Sequence, residues 1–535
     1  MSPRSVPRPP SRRAVPFAAA ALAAALALAG CASSNKPADA GAPVSGDQSG
    51  TSAAARGDTL TIALDKAPAS LDPADMEQST SPFAQPAYDS LIDVDQDGAL
   101  TPGLATAWKF TDDQNKVFEL TLRDGVTFSD GAVLDADAVI ANLQHLDTGK
   151  SNVASLVNGG TYDKVDDHTV RITWDTPHPL APQAFTQRWV AGMMVSPKAL
   201  AEDPGSLETQ TAGAGPYVLD AAQTVTGSTY VYTARDDYWN PDGQHWNQIV
   251  ITVMENAEQR VNALKTGEVD YAVGDLANAQ SAKDAGLTVL DAATVFYGLS
   301  LLDRDGTLGS PLADVRVRQA INYALDRDSI ATALLGDFGF ATEQTVVPSE
   351  PGYVKDLDGH YAYDPDTARS LLAEAGYPDG FSLPVVASTS ATQATLAQVL
   401  VDQLSKVGIT VELDSRPSAD YFQGMSGGTF PAAVVGYGSQ PMSMEYDGLF
   451  GPDAVFNPLG SASPTIDENM QKAMTSSGDA STQAYEAVER ELVEQAWFAP
   501  AVFVPVFYFA GPSLAPATVT EARPQVPITE LAPAR

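Results

Sequence analysis

From Asp58 onward, short apolar runs rich in β-branched residues alternate with amphipathic segments that carry helix-capping residues. Residues 249–254 have the composition of a strand, Asn256 is a capping residue, and Gly267 ends the helical pattern before a second strand at 269–273. A strand–helix–strand unit of this kind is the building block of a mainly parallel sheet.

The same pattern recurs in the second half of the chain. Asp364 is a capping residue, Pro365 occupies the first position of a helix, and Gly376 ends that helix. A strand is then predicted at 383–387, and a further helix separates it from a strand at 409–413. These two groups of elements predict an α/β fold with two separate sheets, and therefore two lobes.

The first thirty residues follow a different pattern. Four arginines precede an Ala/Leu-rich run, and small residues lead from this run into Cys31, the only cysteine of the chain. This order is typical of a secretory signal, and the run is shorter than the roughly 20 residues that span a bilayer. We therefore predict a signal peptide at 1–30. The segment from Leu28 to Cys31 also resembles a bacterial lipobox, in which the cysteine carries a lipid anchor.

Composition narrows the classes of function. Residues 31–57 are rich in Ser, Ala, Gly and Pro without apolar periodicity, which predicts a flexible tether. The formal net charge of −36 excludes binding to nucleic acid by electrostatic attraction, because that attraction comes from Lys and Arg contacts to phosphates. A single cysteine excludes an intramolecular disulfide, so stability must come from hydrophobic cores, and 535 residues are enough for two or three domains.

Two motifs resemble a catalytic site and a metal site, but each lacks a residue that such a site needs. Residues 424–428 match the G-x-S-x-G elbow of serine hydrolases, but no histidine follows His360 in the chain. Residues 93–98 begin like a calcium-binding loop, but Leu104 stands where calcium needs a glutamate, so we predict a hairpin turn. No His/Cys cluster has the spacing of zinc ligands. We predict no enzymatic activity, no metal and no cofactor.

Several blocks, in one order along the chain, resemble the signature of family 5 extracellular solute-binding proteins. These proteins are the oligopeptide-, dipeptide- and nickel-binding subunits of ABC importers. The strongest block is 311–327, PLADVRVRQAINYALDR. The other blocks lie at 104–108, 118–131, 213–217, 234–239, 363–365 and 374–377.

The resemblance implies a two-lobed fold of the type II periplasmic-binding-protein class, with an extra domain and a hinge. Its expected crossings between lobes lie near Val295-Phe296 and near Pro500. The expected domains are a discontinuous first lobe at 58–95, 201–295 and 500–535, an extra domain at 96–200, and a second lobe at 296–499.

The resemblance also implies a function. A small solute, such as a peptide or a peptide-like molecule, would bind in the cleft between the lobes and pass to the transmembrane permease of an ABC importer. We expect a monomer, anchored by lipid to the outer face of the cytoplasmic membrane. A ligand-sensing or pheromone-binding lipoprotein of the same fold is the alternative, and a secreted serine hydrolase is a weaker one.

Peptide binders of this family commonly hold the ligand's ammonium group with an aspartate in a second-lobe loop. The corresponding loop here has Ser439, Gln440 or Pro441 at that place, which leaves peptides, opines, sugars and metal chelates open. The residues expected to line one inter-lobe cavity are Glu77, Gln78, Ser79, Phe296, Tyr297, Tyr437, Ser439, Gln440 and Met442.

Overall fold

The computed structural model of the protein describes residues 56–151 and 153–535. The predicted signal peptide, Cys31 and nearly all of the predicted tether lie outside the described residues. Within the described part of the chain, none of the helices has both the length and the apolar character that crossing a bilayer requires.

The strands follow one another along the whole of the described chain. They are β1 (Gly57–Leu64), β2 (Ile92–Val94), β3 (Leu100–Pro102), β4 (Ala105–Phe110), β5 (Val117–Leu122), β6 (Thr161–Asp166), β7 (Thr169–Thr173), β8 (Tyr217–Leu219), β9 (Thr229–Ala234), β10 (Trp246–Val253), β11 (Tyr271–Val273), β12 (Thr288–Leu301), β13 (Phe340–Ala341), β14 (Phe381–Ser388), β15 (Ile409–Arg416), β16 (Ala432–Gly438) and β17 (Phe498–Ala510).

The α-helices lie between these strands. They are α1 (Ala136–Leu146), α2 (Ala181–Ala184), α3 (Pro197–Glu202), α4 (Ala257–Thr266), α5 (Leu276–Asp284), α6 (Val315–Tyr323), α7 (Arg327–Leu335), α8 (Pro365–Glu374), α9 (Ala391–Ser405), α10 (Ser418–Ser426), α11 (Met442–Glu445), α12 (Pro464–Met474) and α13 (Asp479–Glu494).

One large sheet runs through the molecule in the order β15-β14-β16-β12-β17-β11-β1-β10-β9-β8, and β13 pairs with β17 beside this path. We call the part built on β8–β11 and β1 the first lobe, and the part built on β14–β16 the second lobe. Strand β1 is parallel to β10 and β11, and β14 is parallel to β15 and β16. The parallel character predicted for the two strand–helix–strand units is therefore present in each lobe.

The prediction of two separate sheets is wrong, because two long strands join the lobes. Strands β12 and β17 are 14 and 13 residues long and pair antiparallel from Thr288 opposite Ala510 to Ser300 opposite Phe498. Their register shifts between Ala293 and Val295, close to the predicted crossing. At Gly298 an added Cβ would lie 2.3 Å from the carbonyl oxygen of Ala499, so only glycine fits this approach.

A second, four-stranded antiparallel sheet has the order β4-β5-β7-β6 and lies within the residues predicted to form the extra domain. Its inner face packs on α1 through Phe118, Leu120, Val139 and Leu143, all of which are fully buried. Asp135 caps α1 by accepting a hydrogen bond from the backbone N–H of Ala138, as its position before an apolar helical face predicts.

The local signals for helix ends are confirmed. The side chain of Asn256 accepts from the N–H of Gln259 at the start of α4, and Gly267 ends this helix with a left-handed φ of 73°. The carboxylate of Asp364 accepts from the N–H groups of Asp366 and Thr367 at the start of α8.

Of the two rejected motifs, 93–98 forms the turn that the sequence predicts, whereas 424–428 begins inside a helix and is not the glycine-rich loop that its composition suggests. Ser426 lies at the end of α10, where its hydroxyl donates to the carbonyl of Phe422 at 2.7 Å, so it is not on a nucleophile elbow. Residues 95–99 form the turn between β2 and β3. The Asp95 carboxylate accepts from the N–H of Asp97, and Gly98 has a left-handed φ of 84°.

Two fully buried carboxyl groups, Glu445 and Glu489, meet in the core of the second lobe. The Thr345 hydroxyl lies 3.4 Å from Glu445 Oε2 and 3.1 Å from Glu489 Oε2, and the Thr345 N–H donates to Glu489 Oε1 at 2.9 Å. Burial raises the pKa of Glu489 to about 7. Burial and the nearby Glu489 raise the pKa of Glu445 well above its ordinary value. Both groups therefore favour the protonated form in the folded chain.

Replacing Glu489 by glutamine should reduce the decrease in the free energy of unfolding that occurs as the pH rises from 5 to 7.5. The folded chain keeps a proton that the unfolded chain releases above a pKa of about 4.3, so the free energy of unfolding decreases as the pH rises towards 7. Glu489→Gln cannot ionise and should raise the free energy of unfolding at pH 8 by about 3–4 kcal/mol. Urea denaturation at several pH values measures this difference.

The matched control is Glu468→Gln on α12, because Glu468 is exposed to solvent. This variant should keep the wild-type slope of stability against pH. Part of the slope should remain in Glu489→Gln, since Glu445 still titrates. An unchanged slope in Glu489→Gln would contradict the assignment of the buried proton.

Candidate ligand-binding cleft

The carboxyl ends of β1 and β11 form one wall of a cavity of 410 Å³. Leu64 and Lys66 come from the end of β1, Val273 from the end of β11, and Tyr508 from the central strand β17. Ligands of open α/β sheets commonly bind outside the carboxyl ends of the strands, so this position is typical of a binding site.

A second cavity of 220 Å³ adjoins the first and is lined by residues of both lobes. The two cavities share Val94, Arg188 and Ala522 as lining residues. The wall that the second lobe contributes consists of Ser349, Glu350, Pro351, Pro441, Met442 and Tyr485. Together the two cavities form a cleft at the junction of the lobes.

Arg188 lines both cavities and has few partners. One of its Nη atoms donates to the carbonyl of Ala522 at 3.4 Å, and its guanidinium lies 5.3 Å from the centre of the Trp189 ring. Within the part of the chain that the structure describes, no carboxylate forms an ion pair with it. Loss of hydration lowers the pKa of Arg188, and the charge of Glu350 opposes this effect.

Glu350 lies on the opposite wall of the second cavity. Burial raises the pKa of this carboxyl group, and the charge of Arg188 lowers it again. The two side chains therefore act on each other through space, without a hydrogen bond between them. A desolvated guanidinium with free N–H groups can hold a carboxylate by two parallel hydrogen bonds, and a carboxylate can hold an ammonium.

Two further basic residues line the first cavity. Arg523 is only 6% exposed and forms an ion pair with Glu530 at 2.5 Å, while its Nε lacks a hydrogen-bond partner among the described residues. Lys66 at the mouth pairs with Glu77 at 2.8 Å. The cleft therefore contains three basic side chains, two of them paired with carboxylates, together with the acidic lining residues Asp65 and Glu350.

The structure places some of the predicted site residues in this cleft. Gln78 and Ser79 line the first cavity, and the Gln78 amide donates to the carbonyl of Arg188 at 3.3 Å. Met442 lines the second cavity. The side chain of Glu77 is 67% exposed and is held by Lys66.

The other predicted residues lie elsewhere in the second lobe. Tyr297 and Tyr437 line a third cavity, and Phe296 is fully buried in the core. Ser439 is 8% exposed, and the backbone N–H of Gln440 donates to Glu445 Oε1 at 3.3 Å. The nine residues are therefore not brought together in one cavity.

Phe296 and Tyr437 are cross-strand partners of β12 and β16, and their ring centres lie 6.2 Å apart. Phe296 is fully buried, whereas Tyr437 and the next residue of β12, Tyr297, reach the third cavity. A role of Ser439 and Gln440 in ligand binding stays a prediction.

Sequence reasoning missed Arg188, Glu350 and Arg523. These residues come from three segments that lie far apart in the chain, and each one alone resembles an ordinary surface charge. What they share is a position on the wall of the cleft, which only the folded structure shows. Within residues 56–151 and 153–535, no group of His, Cys, Asp and Glu side chains has the arrangement of a metal site.

Comparison with known proteins agrees with this geometry. The model of the bacterial extracellular solute-binding proteins, family 5, matches residues 99–450. The heme-binding protein A of Haemophilus influenzae is 25% identical over 458 residues, which cover 79% of this chain and 80% of that protein. A glutathione-binding protein of Salmonella paratyphi A is 30% identical over 354 residues, which cover 64% of this chain and 66% of that protein.

The solved structures confirm the predicted fold class, a two-lobed type II periplasmic-binding-protein fold of mixed α and β elements. The structure of HbpA2 from Haemophilus parasuis superimposes with a TM-score of 0.78 at 20% identity and covers 89% of this chain and 100% of that one. Relatives of this kind are binding proteins of ABC transporters and not enzymes. The chain belongs to family 5 of the bacterial extracellular solute-binding proteins.

Proposed function

We propose that this chain is the lipid-anchored binding subunit of an ABC importer that captures a small peptide or peptide-like solute with free charged ends. Members of its family bind small solutes outside the cytoplasm and deliver them to ABC permeases. The observation that supports the choice of ligand is the pair of Arg188 and Glu350, two side chains of opposite charge that line the same cavity and form no ion pair with any described residue.

The two charges come from different parts of the molecule. Arg188 lies in the segment predicted to form the extra domain, which is expected to pack on the first lobe, and Glu350 lies in the segment predicted to form the second lobe. A ligand with a carboxylate at one end and an ammonium at the other pairs with both groups and so bridges the lobes. Such a ligand stabilises the closed arrangement by its additional contacts in that state, which is how ligand binding drives hinge closure.

The ligands in the names of the two relatives fit an arginine in the cleft. Heme and glutathione both carry carboxylates, and glutathione is a small peptide with one free ammonium group. A neutral sugar would leave the charges of Arg188 and Glu350 unpaired in a closed site, which is costly. These considerations favour a zwitterionic peptide-like ligand over a sugar.

Replacing Arg188 by glutamine should weaken the binding of ligands that have a free carboxylate. We expect the dissociation constant of glutathione or of trialanine to rise about 10–100-fold, because a hydrogen bond to a charged group is worth about 1.5–3 kcal/mol. The C-terminal amide of trialanine should bind equally to both forms of the protein. Titration calorimetry with the matched peptides measures these constants.

Two controls keep this experiment decisive. Arg369→Gln removes an exposed arginine that pairs with Asp366 on α8, and it should leave all affinities unchanged. Glu350→Gln should instead lower the preference for trialanine over its N-acetyl form. Equal losses for the free acid and the amide in Arg188→Gln would remove this residue from carboxylate recognition.

The lipid anchor is tested at Cys31. Formation of the thioether needs the cysteine sulfur, so Cys31→Ser should move the protein from the membrane fraction to the soluble fraction or leave the signal uncleaved. Fractionation and intact-mass measurement of both forms give the answer. A Cys31→Ser protein that is cleaved and still sediments with membranes would disprove the anchor.

A further inference from the structure

The third cavity lies in the second lobe, at the carboxyl edge of its parallel strands, and has a volume of 210 Å³. Ser388 ends β14, Tyr437 is near the end of β16, and Ser418 begins α10. Five aromatic side chains line this cavity, which we call the aromatic pocket: Tyr297, Tyr421, Phe422, Tyr437 and Phe456.

The rings form a continuous wall. Tyr421 and Phe422 have ring centres 5.4 Å apart, those of Phe422 and Phe456 are 6.1 Å apart, and those of Phe456 and Tyr437 are 5.9 Å apart. Phe422 is 51% exposed at the rim. Tilted and edge-on rings at such distances provide preformed contact surfaces for another ring.

Two tyrosine hydroxyls that line the pocket have no hydrogen-bond partner among the described residues. Tyr421 donates to the carbonyl of Val434 at 2.9 Å, whereas the hydroxyls of Tyr297 and Tyr437 make no hydrogen bond to any described residue. Burial raises the pKa of both tyrosines, so both groups remain neutral donors. Both tyrosines are only partly buried, and their hydroxyls are therefore available as donors to an acceptor that enters the pocket.

Two glycines make room for these tyrosines. An added Cβ at Gly436 would lie 2.4 Å from Cε1 of Tyr297, and one at Gly448 would lie 2.9 Å from the hydroxyl of Tyr437. Side chains at either position would displace the rings. The pocket is therefore formed in advance of any occupant, which lowers the entropic cost of binding.

We propose that the aromatic pocket is a recognition subsite for a planar aromatic group that carries a hydrogen-bond acceptor. An apolar cavity of about 150 Å³ already holds benzene, so this pocket has room for one ring or a small fused pair. The five side chains enclose the ring, and the hydroxyls of Tyr297 and Tyr437 donate to its acceptor.

The subsite lies within reach of the cleft. Pro441, which lines the second cavity, follows Tyr437 by four residues, and four residues span at most about 14 Å. A ligand that occupies the second cavity at Pro441 is therefore close enough for a side chain of the ligand to approach the pocket. The assignment of this ring to the transported solute rests on the proposed function, whereas the existence of the subsite does not.

Benzamide is a suitable probe, because it is a neutral planar ring with a carbonyl acceptor. Ligand-observed NMR with the full mature protein should show saturable binding of benzamide and at least tenfold weaker binding of cyclohexanecarboxamide, which has the same acceptor on a non-planar ring. Tyr437→Phe should raise the dissociation constant of benzamide about 2–10-fold, since a neutral hydrogen bond is lost. Tyr363→Phe, on an exposed tyrosine outside the pocket, should have no effect.

The Arg188→Gln variant allows the subsite to be tested independently of the proposed function. Benzamide binding that persists in this variant and weakens in Tyr437→Phe supports the subsite, even when no peptide binds the protein. Benzamide binding that is lost in Arg188→Gln and unchanged in Tyr437→Phe overturns it, and so does equal binding of the two amides. Thermal denaturation of Tyr437→Phe verifies that the variant folds.

Discussion

The pairing of β12 with β17 is the interaction on which the rest of the structure depends. These two strands are the only elements of the described large sheet that lie between the strands of the first lobe and those of the second. Tyr508 on β17 lines the first cavity, and Tyr297 on β12 lines the aromatic pocket. Both lobes share this ribbon, whose pairing is irregular at two register shifts and whose strands approach closely at Gly298.

Arg327 and Arg188 differ in how their guanidinium groups are hydrogen-bonded. Arg327 is 6% exposed and donates to the carbonyls of Thr342, Pro500, Asn322 and Tyr361, so its charge is spread over the backbone at the lobe junction. Arg188 has one long hydrogen bond and faces a cavity. Saturated hydrogen bonding marks a structural arginine, whereas the unsatisfied donors of Arg188 mark one that is available to a ligand.

Much of the local structure could be predicted from the sequence, because its causes are local. Asn256 and Asp364 cap their helices through side-chain oxygens that reach N–H groups only two or three residues away. The turn at Gly98 needs a positive φ, which glycine adopts at little cost. The ordered family blocks then led to the two-lobed fold class. The number of sheets was predicted wrongly, since strand pairing across the lobes joins β12 and β17, whose partners are about two hundred residues away.

The sequence by itself determined the fold class, the family and the strand–helix–strand units. It also showed that no histidine follows His360, as a serine hydrolase with this motif would need. Only the tertiary structure decided which charges face the cleft and which aromatic rings enclose a pocket. Burial and pairing depend on residues that the fold brings together from distant segments. Arg188 and Glu350 are far apart in the sequence and line the same cavity. The neighbours Phe296 and Tyr297 show the same limit, because only the packed structure decides that the first is fully buried and the second reaches a cavity.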